Sequence, residues 1–457
     1  MQTNLDNMRG KKVLIVGLGR SGTAAIQALI DLGAEVSVQD RRPASDFDVN
    51  FLSFLKGRNV AFYFNRLPED MGAFDMIILS PGASPELPFV QEGKEKGAEI
   101  TGELEIAFRI SKGNFVAITG TNGKTTTTTL VGEIFKASHR ATDVVGNIGT
   151  AAISAAAHAD ENEWLITETS SFQLETTKYF KPVISAILNL TPDHLDRHHT
   201  MEAYGAAKAK IFANQTEPGC LIINKDDALC YSLAAPCKCR VVPFSRKEEL
   251  DFGAFVKDGE IVIADGEKIV PICRTEDLKI IGDHNVENAL AAAAIAYFAG
   301  IDPEVIGQTI TAFRGVEHRI EYCGTIDGVR YYNDSKGTNT DATIIALKAI
   351  RQNVILIAGG DAKGQNFDSL AVHFPGVVKK LLLLGRDRGF IREAAEKAGF
   401  TEIEECRDIP ACVKRAHEIA EPGDSVLLSP ACASWDMYDN FEQRGEHFKD
   451  CVQALDR

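Results

Sequence analysis

The chain is built from short apolar runs, each closed by a glycine-rich or polar turn and followed by a stretch of helical period. Val13 to Val16, Glu35 to Gln39 and Met76 to Leu79 come first; Phe115 to Ile118, Trp164 to Thr167 and Ile184 to Asn189 follow; Val354 to Ala358 and Ser425 to Leu428 lie near the end. Such runs alternating with helical patterns predict buried parallel strands joined by crossover helices, an α/β fold. From Gly219 to Ile272 the texture changes to short alternating strands, with Asp258-Gly259 and Asp265-Gly266 as hairpin turns, predicting a small antiparallel sheet beside the parallel one. A long alanine-rich helix follows, from Gly282 through Phe298, and residues 200 to 213 read as a helix capped by Thr200.

Length changes the picture from one sheet to several. At 457 residues the chain has room for about three domains at the usual ~150 residues each. The breaks near Ser111 to Gly113 and near Gly315 place them at 1–111, 112–314 and 315–457. A formal charge of −15 argues against a nucleic-acid or anionic-membrane surface and points to small-molecule substrates. The longest apolar run, Ala289 to Ala299, is too short to cross a bilayer, and no signal-peptide pattern is visible, so a cytoplasmic protein without membrane insertion is expected. The ten cysteines form no paired framework, and Cys237-Lys-Cys239 has the wrong spacing for a zinc knuckle, so reduced core thiols are expected.

The candidate chemistry begins at Val116 to Thr129, where a strand runs into Gly120-Thr121-Asn122-Gly123-Lys124-Thr125-Thr126 and then a helix. Glycines let backbone N–H groups approach an anion, the helix N-terminus adds partial positive charge, and Lys124 can reach terminal phosphates. Thr125 supplies a hydroxyl for Mg²⁺. The loop is two residues shorter than the general Walker A spacing. This is a P-loop phosphate cradle opening the central domain. Glu168 and His194 stand at the ends of two following strands, where Mg²⁺ ligands belong; His198 and His199 are read as surface residues. In the helix after Thr200, the face of Met201, Tyr204 and Ile211 also carries Lys208, while Lys210 points elsewhere. Lys208 is then either a lysine of lowered pKa, able to add CO₂ as a carbamate, or one that snorkels to solvent.

Polar groups gather at other strand ends too. Gly17-Leu-Gly19-Arg20-Ser21-Gly22 and Asp40-Arg41-Arg42 give the first domain a Rossmann-like order, and Ser80-Pro81-Gly82 closes a further strand there. Asn285 and Asn288 share the start of the long helix, for base contact or for capping. The third domain, also Rossmann-like, holds Glu317-His318-Arg319, Asn333-Asp334-Ser335-Lys336-Gly337-Thr338-Asn339, Asp361-Ala362-Lys363 and Ser429 to Ser434.

The short Gly-Thr-Asn-Gly-Lys-Thr-Thr loop, His284-Asn285-x-x-Asn288 and Glu317-His318-Arg319 resemble, in order and spacing, the Mur ligases, ATP-dependent amino-acid-adding enzymes of bacterial peptidoglycan synthesis. The 333–339 and 429–434 motifs are similar to those of the branch that adds D-glutamate. The resemblance implies an acyl-phosphate route to an amide, with ATP, two Mg²⁺ ions and a carbamylated Lys208. It implies that Gly120, Thr121, Asn122, Gly123, Lys124, Thr125, Thr126, Asn285, Asn288, Arg319, Asp334 and Lys336 bind ATP. Thr125, Glu168, His194 and Lys208 would serve the metals, with Lys124, Lys208, His194 and Lys336 catalytic. Arg20, Ser21, Asp40, Arg41, Arg42, Ser80, Gly82, Asn147 and His194 would hold UDP-N-acetylmuramoyl-L-alanine, and Lys363, Ser434 and Phe441 the D-glutamate. A monomer is expected, completed by closure of its third domain. Trp435 and Arg20 depart from the family by being larger than the residues usual at their places. A nicotinamide-dependent oxidoreductase would use Gly17-x-Gly19-x-x-Gly22 and Asp40 but leaves the second domain unexplained. A non-catalytic ATP switch leaves the acidic strand ends idle.

Overall fold

The structure is a computed structural model and describes residues 8–266 and 268–455. It divides into two compact units, Met1–Asp277 with Val286–Thr311, and Leu278–Asn285 with Ala312–Arg457.

The first unit holds two sheets. β1 (Lys12–Val16), β2 (Glu35–Asp40), β3 (Ala61–Phe64), β4 (Met76–Leu79) and β5 (Glu99–Gly102) form a parallel sheet in the order β3-β2-β1-β4-β5. The order reverses between β1 and β4, and this switch point leaves a crevice at the strands' carboxyl ends. The second sheet contains β6 (Asn114–Thr119), β7 (Thr142–Gly146), β8 (Trp164–Glu168), β9 (Ile184–Ile187), β10 (Cys220–Asn224), β11 (Arg240–Ser245), β12 (Phe252–Lys257), β13 (Glu260–Asp265) and β14 (Ile269–Arg274). Its order is β14-β13-β12-β11-β10-β9-β6-β8-β7. The hairpins expected as a small antiparallel sheet beside the parallel strands form the antiparallel edge of this sheet, because β12 pairs in parallel with β11 before turning back into β13. Asp258 and Gly259, both at positive φ, make the tight turn. The turn after Asp265-Gly266 passes through residue 267, outside the described residues.

Charged side chains aimed at backbone groups tie the two sheets' loops together. Glu105, fully buried, accepts from the backbone N–H groups of Lys178, Tyr179 and Phe180 and from Arg109 Nε at 2.8 Å. Glu103 accepts from Ile153 N at 2.6 Å, while its other oxygen is buried with no hydrogen-bond partner among the described residues. Arg197 donates to the carbonyls of Pro81 and Ala83 and pairs with Glu175 at 2.6 Å.

The second unit has one sheet. β15 (Glu321–Ile326), β16 (Val329–Asn333), β17 (Val354–Gly359), β18 (Val378–Leu384), β19 (Ile403–Glu405) and β20 (Ser425–Leu428) run in the order β15-β16-β20-β17-β18-β19, parallel apart from the β15–β16 hairpin. All ten cysteines are free, five of them buried and five part-buried. Among the described residues no helix is long and apolar enough to cross a membrane.

Burial pushes the Glu103 carboxyl up to about 7, against the opposing pull of the Ile153 N–H and Arg20. A folded-state value above the unfolded one means that the stability this group contributes is complete below about pH 4.5 and is lost as pH rises through about 7. Glu103→Gln, which cannot ionise, is expected to remove that slope and to gain on the order of 3 kcal/mol relative to the parent between pH 5 and pH 8. Urea unfolding at the two pH values measures it, and an unchanged slope would refute the assignment.

Candidate functional site

β6 delivers the chain into the cradle and the helix Lys124–Ala137 carries it away. Gly123 is at φ +82°, and a Cβ there would lie 2.3 Å from Asn288 Oδ1, so both backbone and space require glycine. Asn189, just beyond β9, braces the loop: its Oδ1 accepts from Asn122 N at 2.8 Å and its Nδ2 donates to Asn122 O. Thr121 Oγ1 donates to Thr191 O at 3.1 Å and meets the Tyr204 hydroxyl. Lys124 Nζ donates to the carbonyls of Gly120 and Thr121 at 2.8 and 2.7 Å. Thr125 and Thr126 are buried in the first turn.

Lys208 lies on the buried face that its helical spacing predicts, 1% exposed. Its Nζ donates to Gly120 O at 2.8 Å and sits 4.6 Å from the Tyr204 ring centroid. Burial, reinforced by the charge on Lys124, holds its pKa well below the usual lysine value. Glu168 ends β8, which pairs with β6 so that Ile118 faces Glu168 across the ladder. It is buried, not a solvated loop carboxylate. Asn147 Nδ2 donates to its Oε1 at 2.8 Å, and its Oε2 is buried with no hydrogen-bond partner among the described residues. An unpartnered carboxylate oxygen beside a phosphate cradle, with the Thr125 hydroxyl at the helix start, is an oxygen donor set that fits Mg²⁺. His194 caps the short helix Leu195–His198 at φ +53°. It is exposed, against Asp193 and 4.8 Å from the Phe172 ring, and no contact joins it to the cradle among those the structure describes.

His198 is not a surface residue as expected. It is 6% exposed, bonded through Nε2 to Ser171 Oγ at 2.9 Å and through Nδ1 to Glu175, with its ring between Phe172 and Tyr204. Burial lowers its pKa. The partners that bury it come from other helices, which its neighbours in sequence do not reveal. His199 is exposed.

At the switch point of the first sheet, Ser80 Oγ donates to Gly17 O at 2.8 Å, and Gly82 faces open space. Asp40 accepts from Leu18 N and from Arg42. Burial alone would raise its pKa, but Arg42 and the two backbone N–H groups bring it down to about 2. Arg42 lies 4.4 Å over the Phe47 ring, and Arg41 is exposed. Arg20, beside Ser21 at the start of the helix Arg20–Asp31, sends its guanidinium to the carbonyls of Gly146, Asn147 and Gly149. Asn288 accepts from Thr127 Oγ1 at 3.2 Å, tying the long helix to the cradle helix.

In the second unit, Asp334 is buried; its oxygens accept from Ser429 Oγ at 2.7 Å and Ile320 N at 3.2 Å, and burial raises its pKa to about 6 against the pull of Arg319. Asn285 Nδ2 donates to Ile281 O. Lys336 Nζ lies 5.6 Å from the Phe441 ring centroid. A bridge between Asp361 and Ala433 brings the Lys363 and Ser434 loops together, and Lys363 Nζ sits 4.3 Å over the Trp435 ring. Arg444 was not foreseen. It is 3% exposed and donates to Ser335 Oγ, Ser335 O and Cys432 O, joining the two loops that carry Asp334 and Ser434. A step of four back from Phe448 lands on Arg444, a spacing that would have found it.

A shortened phosphate cradle flanked by a buried carboxylate and a buried lysine, on a mixed α/β scaffold, defines a nucleotide-dependent phosphoryl-transfer enzyme. Three family models match: the Mur ligase MurD-like N-terminal domain at residues 11–102, the Mur ligase middle domain at 118–296 and the Mur ligase glutamate ligase domain at 318–432. The chain belongs to the Mur ligase family of ATP-dependent ligases, which use Mg²⁺. The UDP-N-acetylmuramoylalanine--D-glutamate ligase of Thermoanaerobacter sp. (strain X514) is 48% identical over 456 residues, covering 98% of this chain and 100% of the relative. The protein of that name from Clostridioides difficile (strain 630) is 47% identical over 451 residues, with 98% and 100% covered. The fold is similar to that of UDP-N-acetylmuramate-alanine ligase MurC from Thermotoga maritima (TM-score 0.60, 18% identity, 97% and 99% covered). It is similar also to a pseudomurein peptide ligase type C from Methanothermus fervidus (TM-score 0.58, 17% identity, 98% and 100% covered).

Gly123→Ala is expected to weaken ATP binding at least tenfold, about 1.4 kcal/mol, by pushing on Asn288 and straining the loop. Gly82→Ala, where a Cβ meets nothing within 4 Å, is expected to leave it unchanged. Titration with a fluorescent ATP analogue compares the two.

Proposed function

We propose that this enzyme joins D-glutamate to UDP-N-acetylmuramoyl-L-alanine at the expense of ATP, in cytoplasmic peptidoglycan precursor synthesis, and works as a monomer of three domains at 1–111, 112–314 and 315–457. What carries this reading is a second lysine, the buried Lys208, donating to the cradle's own Gly120 carbonyl, in a chain alike along its length to relatives named as D-glutamate ligases.

A carboxylate forms an amide only once one oxygen has become a leaving group. In this reading the γ-phosphoryl group of ATP passes to the alanyl carboxylate, the D-glutamate amine attacks the acyl phosphate, and the tetrahedral intermediate collapses to amide and phosphate. Lys124 and the backbone N–H groups of Gly120 to Thr126 hold the phosphates and stabilise the transferring charge. Thr125, Glu168, His194 and a carbamylated Lys208 would hold two Mg²⁺ ions, which would supply further charge neutralisation. Asn285, Asn288, Arg319, Asp334 and Lys336 serve the nucleotide. Ser80, Gly82, Asp40 and Arg42 serve the uridine diphosphate, and Lys363, Ser434 and Phe441 the D-glutamate. The depressed pKa of Lys208 supports the carbamate, since only a neutral amine adds CO₂.

Phosphate release with ATP, Mg²⁺ and the UDP-substrate is expected with D-glutamate and not with L-glutamate, L-alanine or meso-diaminopimelate, with a product heavier by one glutamyl residue. Release with a different amine alone would identify another Mur ligase specificity. ATP binding without amine-dependent release would favour a switch. CO₂-depleted buffer is expected to lower the rate several-fold and bicarbonate to restore it, with a ¹³C carbamate resonance that Lys208→Ala abolishes; no change in rate or resonance would remove the carbamate from the scheme.

A further inference from the structure

We propose that Arg20 is a positioning residue for Glu168, acting through the Gly146–Gly149 turn and Asn147, and not a contact to the sugar nucleotide. The proposal rests on the reading of Glu168 as a Mg²⁺ ligand.

The turn is held from two sides. On one side it is fastened to Glu168: Asn147 N donates to Glu168 O at 2.9 Å, and Asn147 Nδ2 donates to Oε1 at 2.8 Å. Gly146 packs so closely there that a Cβ would lie 2.3 Å from Glu168 O. On the other side the Arg20 guanidinium meets the carbonyls of Gly149 at 3.0 Å, Asn147 at 2.9 Å and Gly146 at 3.2 Å. Gly146 and Gly149 are both at positive φ and bring no side chains of their own; the turn closes on itself through Gly146 N to Thr150 O at 2.9 Å, and the Arg20 guanidinium adds the hold on its carbonyls. A planar fork with several N–H groups can serve three carbonyls at once; a lysine ammonium on the same stem lacks that geometry.

One consequence is chemical. Asn147's amide occupies Oε1 of Glu168 and leaves Oε2 as the unpartnered oxygen, so the carboxylate's rotation is set by a turn that Arg20 holds. Orientation of a ligand by a hydrogen-bonded neighbour typically changes metal affinity tenfold or more. The other consequence is that Arg20 begins the helix that follows the glycine turn of the first sheet, so it links that sheet's crevice to Glu168.

The test uses the full chain with Mn²⁺ as probe, followed by electron paramagnetic resonance with a non-hydrolysable ATP analogue present, and the UDP-substrate by calorimetry without metal. Arg20→Met is expected to weaken Mn²⁺ binding five- to tenfold, to leave UDP-substrate affinity within twofold, and Arg20→Lys to fall between. If Arg20 acts through the turn, Arg20→Met/Asn147→Ala weakens Mn²⁺ no more than Asn147→Ala alone. Weaker UDP-substrate binding with unchanged Mn²⁺ affinity would overturn the proposal in favour of a substrate contact; so would additive effects in the double variant. Glu168→Gln separates the two levels. Lost Mn²⁺ binding in it with none lost in Arg20→Met or Arg20→Lys rejects Arg20 alone, and unchanged binding in it rejects the Glu168 reading and the proposal together.

Discussion

One carbonyl oxygen, that of Gly120, accepts from two lysines. Lys208 is removed from water, and its ammonium would in addition be repelled by that of Lys124 at the shared acceptor. The arrangement therefore drives Lys208 toward its neutral form and leaves Lys124 as the charge of the cradle. That division of labour requires the burial that Tyr204 provides and a loop rigid enough to present the carbonyl to both. Asn189 supplies the rigidity by bonding both the N–H and the C=O of Asn122, and Asn288 closes the other side against Gly123.

The cradle was legible because its information is local: two glycines, a lysine and a threonine in consecutive positions fix turn, dipole and charge. Glu168 was legible because strand ends in a parallel sheet point to one edge. Lys208 was found by helical period, which reports the buried face without naming what it buries against. What the sequence does not show has one cause. His198 is covered by Phe172 and Tyr204, and Arg20 reaches carbonyls at sequence separations of 126, 127 and 129 residues. No local spacing encodes such partners. Asp40 stood at the place where a ribose contact is expected, and the structure adds that its carboxylate is engaged with Leu18 N and Arg42. The antiparallel hairpins were read correctly one by one, but only parallel pairing of β11 with β12 makes them part of the large sheet.

The two sheets of the first unit are joined at their loops by charge directed at backbone as well as by apolar packing. Arg20, Arg197, Glu103 and Glu105 each come from one side and end on carbonyls or N–H groups of the other. Apolar contacts tolerate sliding, since their energy depends on area and not on direction. Hydrogen bonds from a guanidinium fork or a carboxylate weaken steeply with angle and distance. A joint built from them holds one register, and removing one partner strands a buried polar group, which costs more than the bond itself contributed.

That choice of contact matters most where the joined loops carry chemistry. Ser80 to Ala83 are held by Arg197, the Gly146–Gly149 turn by Arg20, and the turn in turn holds Glu168 through Asn147. Each link is a side chain on a backbone atom, so the position of one loop is transmitted to the next without any side chain changing partner. The acidic strand end beside the cradle is thus fixed from the neighbouring sheet, and the glycine-turn crevice of that sheet shares its rigid frame.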